Sequence, residues 1–142
     1  MIIQNRSDQY GADSLDDCNK CSAGTASSAT GAFEATTCVQ CNAGYYAGEG
    51  SATCTPCPAG YWSGASGAQS FATCAECVAG TYSLQPGAAD QQTCTQCPAG
   101  TSSSVPHANS SSTCAPCGAG TYSSSPGSLY CNVCPRGTAT HI

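Results

Sequence analysis

The sequence predicts a small disulfide-rich protein, mostly irregular and β, that forms an elongated solenoid-like array of short β-hairpins with essentially no helix. The chain has 142 residues and 14 cysteines, and a cysteine content near one tenth is typical of a disulfide scaffold. The cysteines form seven C-x-x-C units at a nearly constant spacing, which indicates tandem repeats. No segment of 11 or more residues has apolar residues at a 3.6-residue period, so no amphipathic helix is expected.

The apolar composition is too poor to build an ordinary hydrophobic core. Val, Leu, Ile, Met, Phe and Trp together number 14, and most other apolar residues are Ala, of which there are 22. Burial at about 25 cal/mol per Å² cannot offset roughly 1.5 kcal/mol of ordering entropy per residue with such a set. Disulfides must supply the missing stability, and they persist in oxidising compartments. We therefore expect an extracellular or cell-surface protein.

Charge and hydropathy exclude several partners. The net charge is −5 and there are three Lys and Arg residues, so binding to a nucleic acid backbone, which depends on basic side chains, is not expected. No run of about 18 apolar residues is present, so we expect no membrane insertion by this chain. Residues 1–6 lack the apolar region of a signal peptide. A leader or further sequence upstream is therefore expected.

The units align best on the second cysteine of each C-x-x-C pair. The first cysteines are 20, 16, 20, 20, 20 and 17 residues apart, and the pairs are Cys18/Cys21, Cys38/Cys41, Cys54/Cys57, Cys74/Cys77, Cys94/Cys97, Cys114/Cys117 and Cys131/Cys134. Glycine follows the second cysteine by three residues in every unit, at Gly24, Gly44, Gly60, Gly80, Gly100, Gly120 and Gly137. Such an invariant glycine indicates a turn with positive φ or a close approach of two chain segments.

Further features recur within each unit. Five residues after the second cysteine the central units carry an aromatic residue, as at Tyr46, Trp62, Tyr82 and Tyr122. Ten residues after it glycine recurs, with Pro106-His107 instead in one unit, which indicates a second turn. Threonine precedes five of the C-x-x-C pairs and favours a closing strand there. Each unit is therefore predicted to be strand, turn and strand, with an N-terminal arm at 1–17, the repeats at 18–137 and a tail at 138–142.

Three disulfide patterns are compatible with this repetition. Bonding within each C-x-x-C closes a strained ring typical of redox sites, and crossed bonding of adjacent units leaves the seventh pair over. We favour the third pattern, in which the second cysteine of one unit bonds the first of the next, and each such loop is worth roughly 3 kcal/mol. Its pairs are Cys21 with Cys38, Cys41 with Cys54, Cys57 with Cys74, Cys77 with Cys94, Cys97 with Cys114, and Cys117 with Cys131. Cys18 and Cys134 then remain for inter-subunit bonds or for a continuation of the array.

Two strings carry a resemblance to a known family. Cys94-Thr95-Gln96-Cys97-Pro98-Ala99-Gly100-Thr101 and Cys117-Gly118-Ala119-Gly120-Thr121-Tyr122-Ser123 resemble the ephrin-receptor-like, growth-factor-receptor cysteine-rich repeats. The resemblance covers residues 18–137. Similar arrays occur in receptor ectodomains and in protist surface proteins, including ciliate immobilisation antigens and flagellar mastigoneme proteins. The resemblance implies an extracellular repeat that acts as a spacer or builds a surface structure.

Chemical alternatives have less support in the sequence. Pairs of C-x-x-C motifs also hold zinc, but an odd number of units cannot be grouped in twos. His107 and His141 have no repeated acidic partner, and Asp13, Asp16 and Asp17 lack the glycine-containing loop of a calcium site. The aromatic residues could bind carbohydrate, although covering the neighbouring disulfide is the favoured role. We therefore expect no enzyme activity, catalytic residue, metal or cofactor.

Two sequons predict N-glycosylation, at Asn109 and, less favourably placed, at Asn5. Serine-rich runs such as 102–104 and 110–113 also suit O-glycosylation.

The function predicted from the sequence is structural. Repeats that contact only their neighbours would form a rigid rod, a surface coat or a filament subunit, and self-association head to tail would join Cys134 of one chain to Cys18 of the next. The alternative is a spacer or ligand-binding part of a cell-surface receptor or adhesin ectodomain.

Overall fold

The computed structural model describes residues 19–29 and 37–140, which form a tandem series of antiparallel two-stranded hairpins. We number the repeats 1 to 7 by their second cysteines, from Cys21 in repeat 1 to Cys134 in repeat 7. The strands are β1 Thr25–Ala26, β2 Val39–Gln40, β3 Tyr45–Tyr46, β4 Thr55–Pro56, β5 Tyr61–Trp62, β6 Ala75–Glu76, β7 Thr81–Tyr82, β8 Thr95–Gln96, β9 Thr101–Ser102, β10 Ala115–Pro116, β11 Thr121–Tyr122 and β12 Asn132–Val133. The predicted fold class is confirmed, and the described residues contain no α-helix.

Each hairpin joins the strand after one glycine turn to the two residues inside the next C-x-x-C motif. In repeat 4, Thr81 lies opposite Gln96 and Tyr82 lies opposite Thr95. The other hairpins pair β1 with β2, β3 with β4, β5 with β6, β9 with β10, and β11 with β12. One strand begins directly after a turn, and cysteines flank the other on both sides, so both strands are short.

The glycine after each second cysteine forms the first turn. In repeat 3 the Tyr61 N–H donates to the Pro58 carbonyl at 3.0 Å, and Gly60 has φ +90°. A type II turn requires positive φ at this third residue, which only glycine adopts without strain. The predicted turn is confirmed at all seven glycines, whose φ values lie between +83° and +91°.

The prediction that threonine opens the closing strand is wrong. In repeats 3 to 5, which we call the regular repeats, this threonine ends a single 3-10 turn. The three turns are Phe71–Thr73, Gln91–Thr93 and Ser111–Thr113. The Thr93 hydroxyl donates to the Asp90 carbonyl at 2.7 Å, and the Asp90 carboxylate caps the turn by accepting the Gln92 N–H at 2.9 Å. A local hydrogen bond to the main chain thus outweighs the β propensity of threonine.

Successive repeats are joined by main-chain hydrogen bonds. The strand residue of one repeat bridges in parallel to the residue after the second turn of the next, as for Trp62 with Ala88. The N–H of Ser63 donates to the Ala88 carbonyl at 3.0 Å, and the N–H of Gly87 donates to the Cys57 carbonyl at 2.8 Å. The same two bonds recur along the array, so each repeat extends the ladder begun by the one before it.

Contact also extends to the repeat after next, so the expectation that repeats contact only their neighbours is wrong. The first-turn glycine of one repeat lies against the second turn two repeats later. A Cβ built on Gly44 would overlap the Gly87 carbonyl oxygen, and one on Gly80 would overlap the Gly127 carbonyl oxygen. Only glycine, which has no side chain, lets two main-chain segments approach so closely.

The interior consists of small side chains. Its buried members are cysteines, alanines, one serine in each of repeats 3 to 6, and one threonine: Cys21, Cys41, Cys57, Cys74, Cys77, Cys97, Ala26, Ala47, Ala68, Ala88, Ala108, Ser63, Ser83, Ser103, Ser123 and Thr81. The hydroxyl oxygen of Ser83 accepts the Gln85 N–H at 3.3 Å, so the buried serine has a partner as burial requires. Because the side chains between the repeats are small, the main chains of successive repeats come close enough to form hydrogen bonds with each other.

Candidate functional site

The disulfides form a ladder in which each bond closes one hairpin, between the cysteine that precedes its first turn and the cysteine that precedes its second strand. The bonds are Cys21–Cys38, Cys41–Cys54, Cys57–Cys74, Cys77–Cys94, Cys97–Cys114 and Cys117–Cys131, with Cα–Cα distances from 5.5 to 5.8 Å. These are the six pairs of the pattern favoured from the sequence. Cys57 and Cys97, each the second cysteine of its C-x-x-C motif, are fully buried, and the second turn of the following repeat donates a hydrogen bond to the carbonyl of each.

Two cysteines stand apart from the ladder. Cys134 is a free thiol and is half-buried. Its main-chain N–H donates to the Gly120 carbonyl at 2.8 Å, in the same way as the second cysteine of every earlier described hairpin. Cys18 lies outside the described residues. The prediction of a bond from either cysteine to another chain or a further repeat stays a prediction.

Aromatic side chains contact one another across several repeats. Tyr61 packs edge-on against Phe71 at 5.1 Å between ring centroids and stacks on His107 at 5.6 Å with an interplanar angle of 6°. Tyr46 contacts the other side of this cluster, at 6.4 Å from Phe71. The stack of Tyr61 on His107 joins repeats 3 and 5. The repeat pattern predicted a role for Tyr46 but not for Tyr61 and Phe71, because most units have no aromatic residue at the positions of these two.

The remaining singled-out residues are not brought together. His107 is exposed, adopts φ +45° in the second turn, and has no acidic neighbour in an ion pair among the described residues. Asn109 is also exposed, so its sequon is accessible. His141, Asn5, Asp13, Asp16 and Asp17 lie outside the described residues. Within residues 19–29 and 37–140, no cluster of three or more His, Cys, Asp or Glu side chains could hold a metal ion.

The surface at repeats 5 to 7 carries a groove, which we call the C-terminal face and define by Gly100, Cys117, Ser123 and Cys134. A groove of about 330 Å³ is lined by these residues and by Tyr122. Among residues 19–29 and 37–140, a Cβ built on Gly100, Gly120 or Gly137 would have no atom within 4 Å. The equivalent glycines of repeats 1 to 4 are buried by the turn of a later repeat.

Fold and disulfides together define a class of protein: a tandem array of disulfide-linked hairpins in which cysteine, alanine and serine replace an apolar core. The family model described as tyrosine-protein kinase ephrin type A/B receptor-like matches residues 64–114 and residues 108–142. These matches cover more than half of the sequence, and the chain belongs to this ephrin-receptor-like family. No curated protein matches the sequence.

The family match fixes the general class of the molecule. Ephrin-receptor-like cysteine-rich repeats are non-catalytic extracellular modules of receptor-type or structural proteins, and the six disulfides point to the same extracellular or secreted location. None of the described residues forms a helix with the length and hydropathy that a membrane span requires.

Proposed function

We propose that the chain is a structural element of an extracellular surface, built as a stiff rod and used in a coat or filament. Residues 18–137 form the rod in this proposal. The observation that carries it is the double connection between repeats. Repeats 1 to 5 are each hydrogen-bonded to the next repeat, and repeats 1 to 4 are also packed by glycine against the repeat after next. A disulfide also closes each hairpin, between the cysteine before its first strand and the cysteine before its second strand.

Contact over two repeats resists bending more than contact between neighbours alone. In a solenoid with nearest-neighbour interfaces, each junction can flex separately. Here, bending between repeats 3 and 4 would also displace the His107 main chain from Gly60, since that contact spans repeats 3 to 5. The small side chains at these junctions leave little volume for rearrangement.

Small-angle X-ray scattering of the Cys18→Ser/Cys134→Ser double variant tests the rod, because these changes prevent covalent joining of chains. A stiff rod gives a rod-like cross-section regime and a maximum dimension that does not change with temperature below unfolding. A compact particle, or a scattering profile of a flexible chain, would contradict the structural function.

Head-to-tail self-association is part of the same proposal. It rests on the half-buried free thiol of Cys134 and on the uncovered glycines of the C-terminal face. A head-to-tail contact is heterologous, so it continues into a filament or closes into a ring.

The alternative function is a spacer or ligand-binding part of a receptor or adhesin ectodomain, and the family match favours it. The exposed side chains Val39, Val78, Leu84 and Tyr130 could contribute to such an interface. Specific, saturable binding of the monomeric double variant to intact cells, abolished by changing Leu84 and Tyr130 to Ser, would select the receptor function.

Glycosylation of Asn109 is also proposed, because the side chain is exposed just after the second turn of repeat 5. After secretion from eukaryotic cells, peptide-N-glycosidase should convert Asn109 to Asp and lower the mass by one glycan. Secreted protein with unmodified Asn109 would contradict this assignment, and Ser111→Ala is the matched control that removes the sequon.

A further inference from the structure

His107 has an unusual main-chain conformation. Among the described residues it is the only one other than glycine with a positive φ, at +45°. The second turns of repeats 3, 4 and 6 have glycine at this place, at Gly67, Gly87 and Gly127. A side chain is unfavourable in this region of φ, so the imidazole of His107 is expected to have a role that glycine cannot supply.

The imidazole is the outer layer of an exposed group of rings. It lies parallel to the Tyr61 ring at 5.6 Å between centroids, and Phe71 meets Tyr61 edge-on at 5.1 Å. Phe71 is 43% exposed, and His107 is exposed as well. Because Tyr61 covers one face of the imidazole, the exposed surface of His107 includes the opposite face. We call Tyr61, Phe71 and His107 the aromatic platform.

The sequon asparagine, Asn109, lies at the edge of this platform. It follows His107 by two residues, so the Cα atoms of the two residues are at most about 7 Å apart. A Cβ built on Gly60 would lie 3.2 Å from the Ala108 carbonyl oxygen, and the carbon of this carbonyl is bonded to the Asn109 nitrogen. Ala108 is 3% exposed, whereas both of its neighbours are exposed. A sugar on Asn109 therefore begins beside Tyr61 and His107.

The repeat fold does not require the platform. Threonine takes the place of Tyr61 in repeats 1, 4, 5 and 6, and polar residues take the place of Phe71 in repeats 4 and 5. Within the described part of the chain, rings fill all three positions only beside Asn109, which is also the only Asn-x-Ser/Thr sequon in residues 19–29 and 37–140. The coincidence links the platform to the sequon.

We propose that the first N-acetylglucosamine of a glycan on Asn109 packs on the aromatic platform and stabilises the fold. The inference rests on the proposed glycosylation of Asn109. One face of a pyranose ring carries mainly C–H groups, and covering an aromatic ring with such a face removes apolar surface from water. The hydroxyl and acetamido groups at the edge of the sugar stay in water. Since this contact exists only in the folded chain, it shifts the equilibrium toward folding.

Urea denaturation of three glycoforms without reductant tests the contact. The chains are secreted from eukaryotic cells that make high-mannose glycans, and they carry Cys18→Ser, Cys134→Ser and Asn5→Gln, so that they are not joined covalently and have one N-glycan. An endoglycosidase leaves the first N-acetylglucosamine on Asn109, whereas peptide-N-glycosidase removes the whole glycan. The single sugar should retain the stabilisation. Its absence should raise the unfolding equilibrium constant about two- to tenfold, the range for one aromatic contact.

Substitutions taken from other repeats remove the platform and keep the fold. Tyr61→Thr/His107→Gly introduces residues that other repeats have at these two positions. In this double variant, the difference between the single-sugar and sugar-free chains should disappear, together with nuclear Overhauser effects between the sugar and the rings. Tyr45→Thr is the matched control, because Tyr45 has the same position in repeat 2 but lies against Gly87. It should leave the difference unchanged.

The outcomes separate this inference from the proposed glycosylation. Secreted chain with unmodified Asn109 would overturn both. A glycosylated chain that is equally stable with and without the single sugar, or that loses as much stability in Tyr61→Thr/His107→Gly, would overturn the contact and leave the glycosylation in place. Ser111→Ala keeps Asn109 without a sugar and should match the sugar-free chain, which shows that the Asp produced by the glycosidase does not cause the loss.

Discussion

The close approach of first-turn and second-turn main chains predicts a strong effect of adding one methyl group at Gly44. Its Cβ would overlap the Gly87 carbonyl oxygen and lie 2.7 Å from the carbonyl carbon. Gly44→Ala should lower the free energy of unfolding by about 1–2 kcal/mol through the positive φ and by a further 1–3 kcal/mol, roughly, through overpacking. Urea denaturation without reductant measures the sum.

Gly120→Ala separates the two contributions. Gly120 has φ +83°, but a Cβ there would have no atom of the described part of the chain within 4 Å, so this variant carries only the backbone strain. The measurement is made with Cys134→Ser present, so that chains do not join. Equal losses of stability for Gly44→Ala and Gly120→Ala would show that the contact between repeats 2 and 4 contributes nothing.

At the scale of single residues, the sequence predicted which positions form turns or close contacts better than it predicted which residues they contact. The spacing of Gly44 and its equivalents predicted a turn or a close approach, and both are found. The partner of Gly44 could not be deduced, because it lies 43 residues away at Gly87 and two repeats along the array. The buried serine at Ser63 and its equivalents was also missed, because serine usually faces solvent and its burial depends on a local bond to the Ala65 N–H.

At the scale of the hairpin, inner and outer disulfides should differ in their contribution to stability. The bond from Cys77 to Cys94 closes a separation of 17 residues, and the bond from Cys117 to Cys131 closes one of 14. Chain entropy therefore gives each about 3 kcal/mol. Cys77 is 1% exposed whereas Cys117 is half-buried, so replacing the inner pair by alanine also leaves a cavity.

The double variant Cys77→Ala/Cys94→Ala should accordingly lose more stability than Cys117→Ala/Cys131→Ala. The cavity left by two sulfur atoms adds on the order of 1 kcal/mol to the shared entropic loss. Urea denaturation gives the stabilities, and limited proteolysis should first cut the inner variant between residues 77 and 94. Indistinguishable midpoints would mean that the packing around Cys77 adds nothing to the cross-link.

Element positions were harder to predict than element types. A turn, a strand and a second turn were expected in each repeat and are present in repeats 2 to 6, but the closing strand lies inside the C-x-x-C motif, as at Thr95–Gln96. Strand propensity pointed instead to Thr93. That residue closes a 3-10 turn because Asp90 caps it, and a three-residue turn leaves no periodic signal in the sequence.

At the scale of the whole molecule, the described part of the chain is a ladder of covalent and main-chain bonds with few apolar contacts. Large apolar side chains such as Val78, Leu84 and Val133 are exposed, so little burial would remain if the sulfur bridges were cut. The poor apolar composition predicted this dependence on disulfides. The extension of contact to the repeat after next could not be predicted, since it depends on how far the main chain rises per repeat, which composition and spacing do not determine.

The dependence on disulfides predicts opposite responses to a reductant and to a chelator. Complete reduction should abolish the strand signal in circular dichroism and expose the chain to protease, because six loops lose about 3 kcal/mol each. A strong chelator should change neither property, since the described second cysteines other than Cys134 are bonded to sulfur. Metal analysis of the native protein accompanies both measurements. Retention of structure after reduction would contradict the disulfide scaffold, whereas stoichiometric zinc released together with structure would establish metal sites in its place.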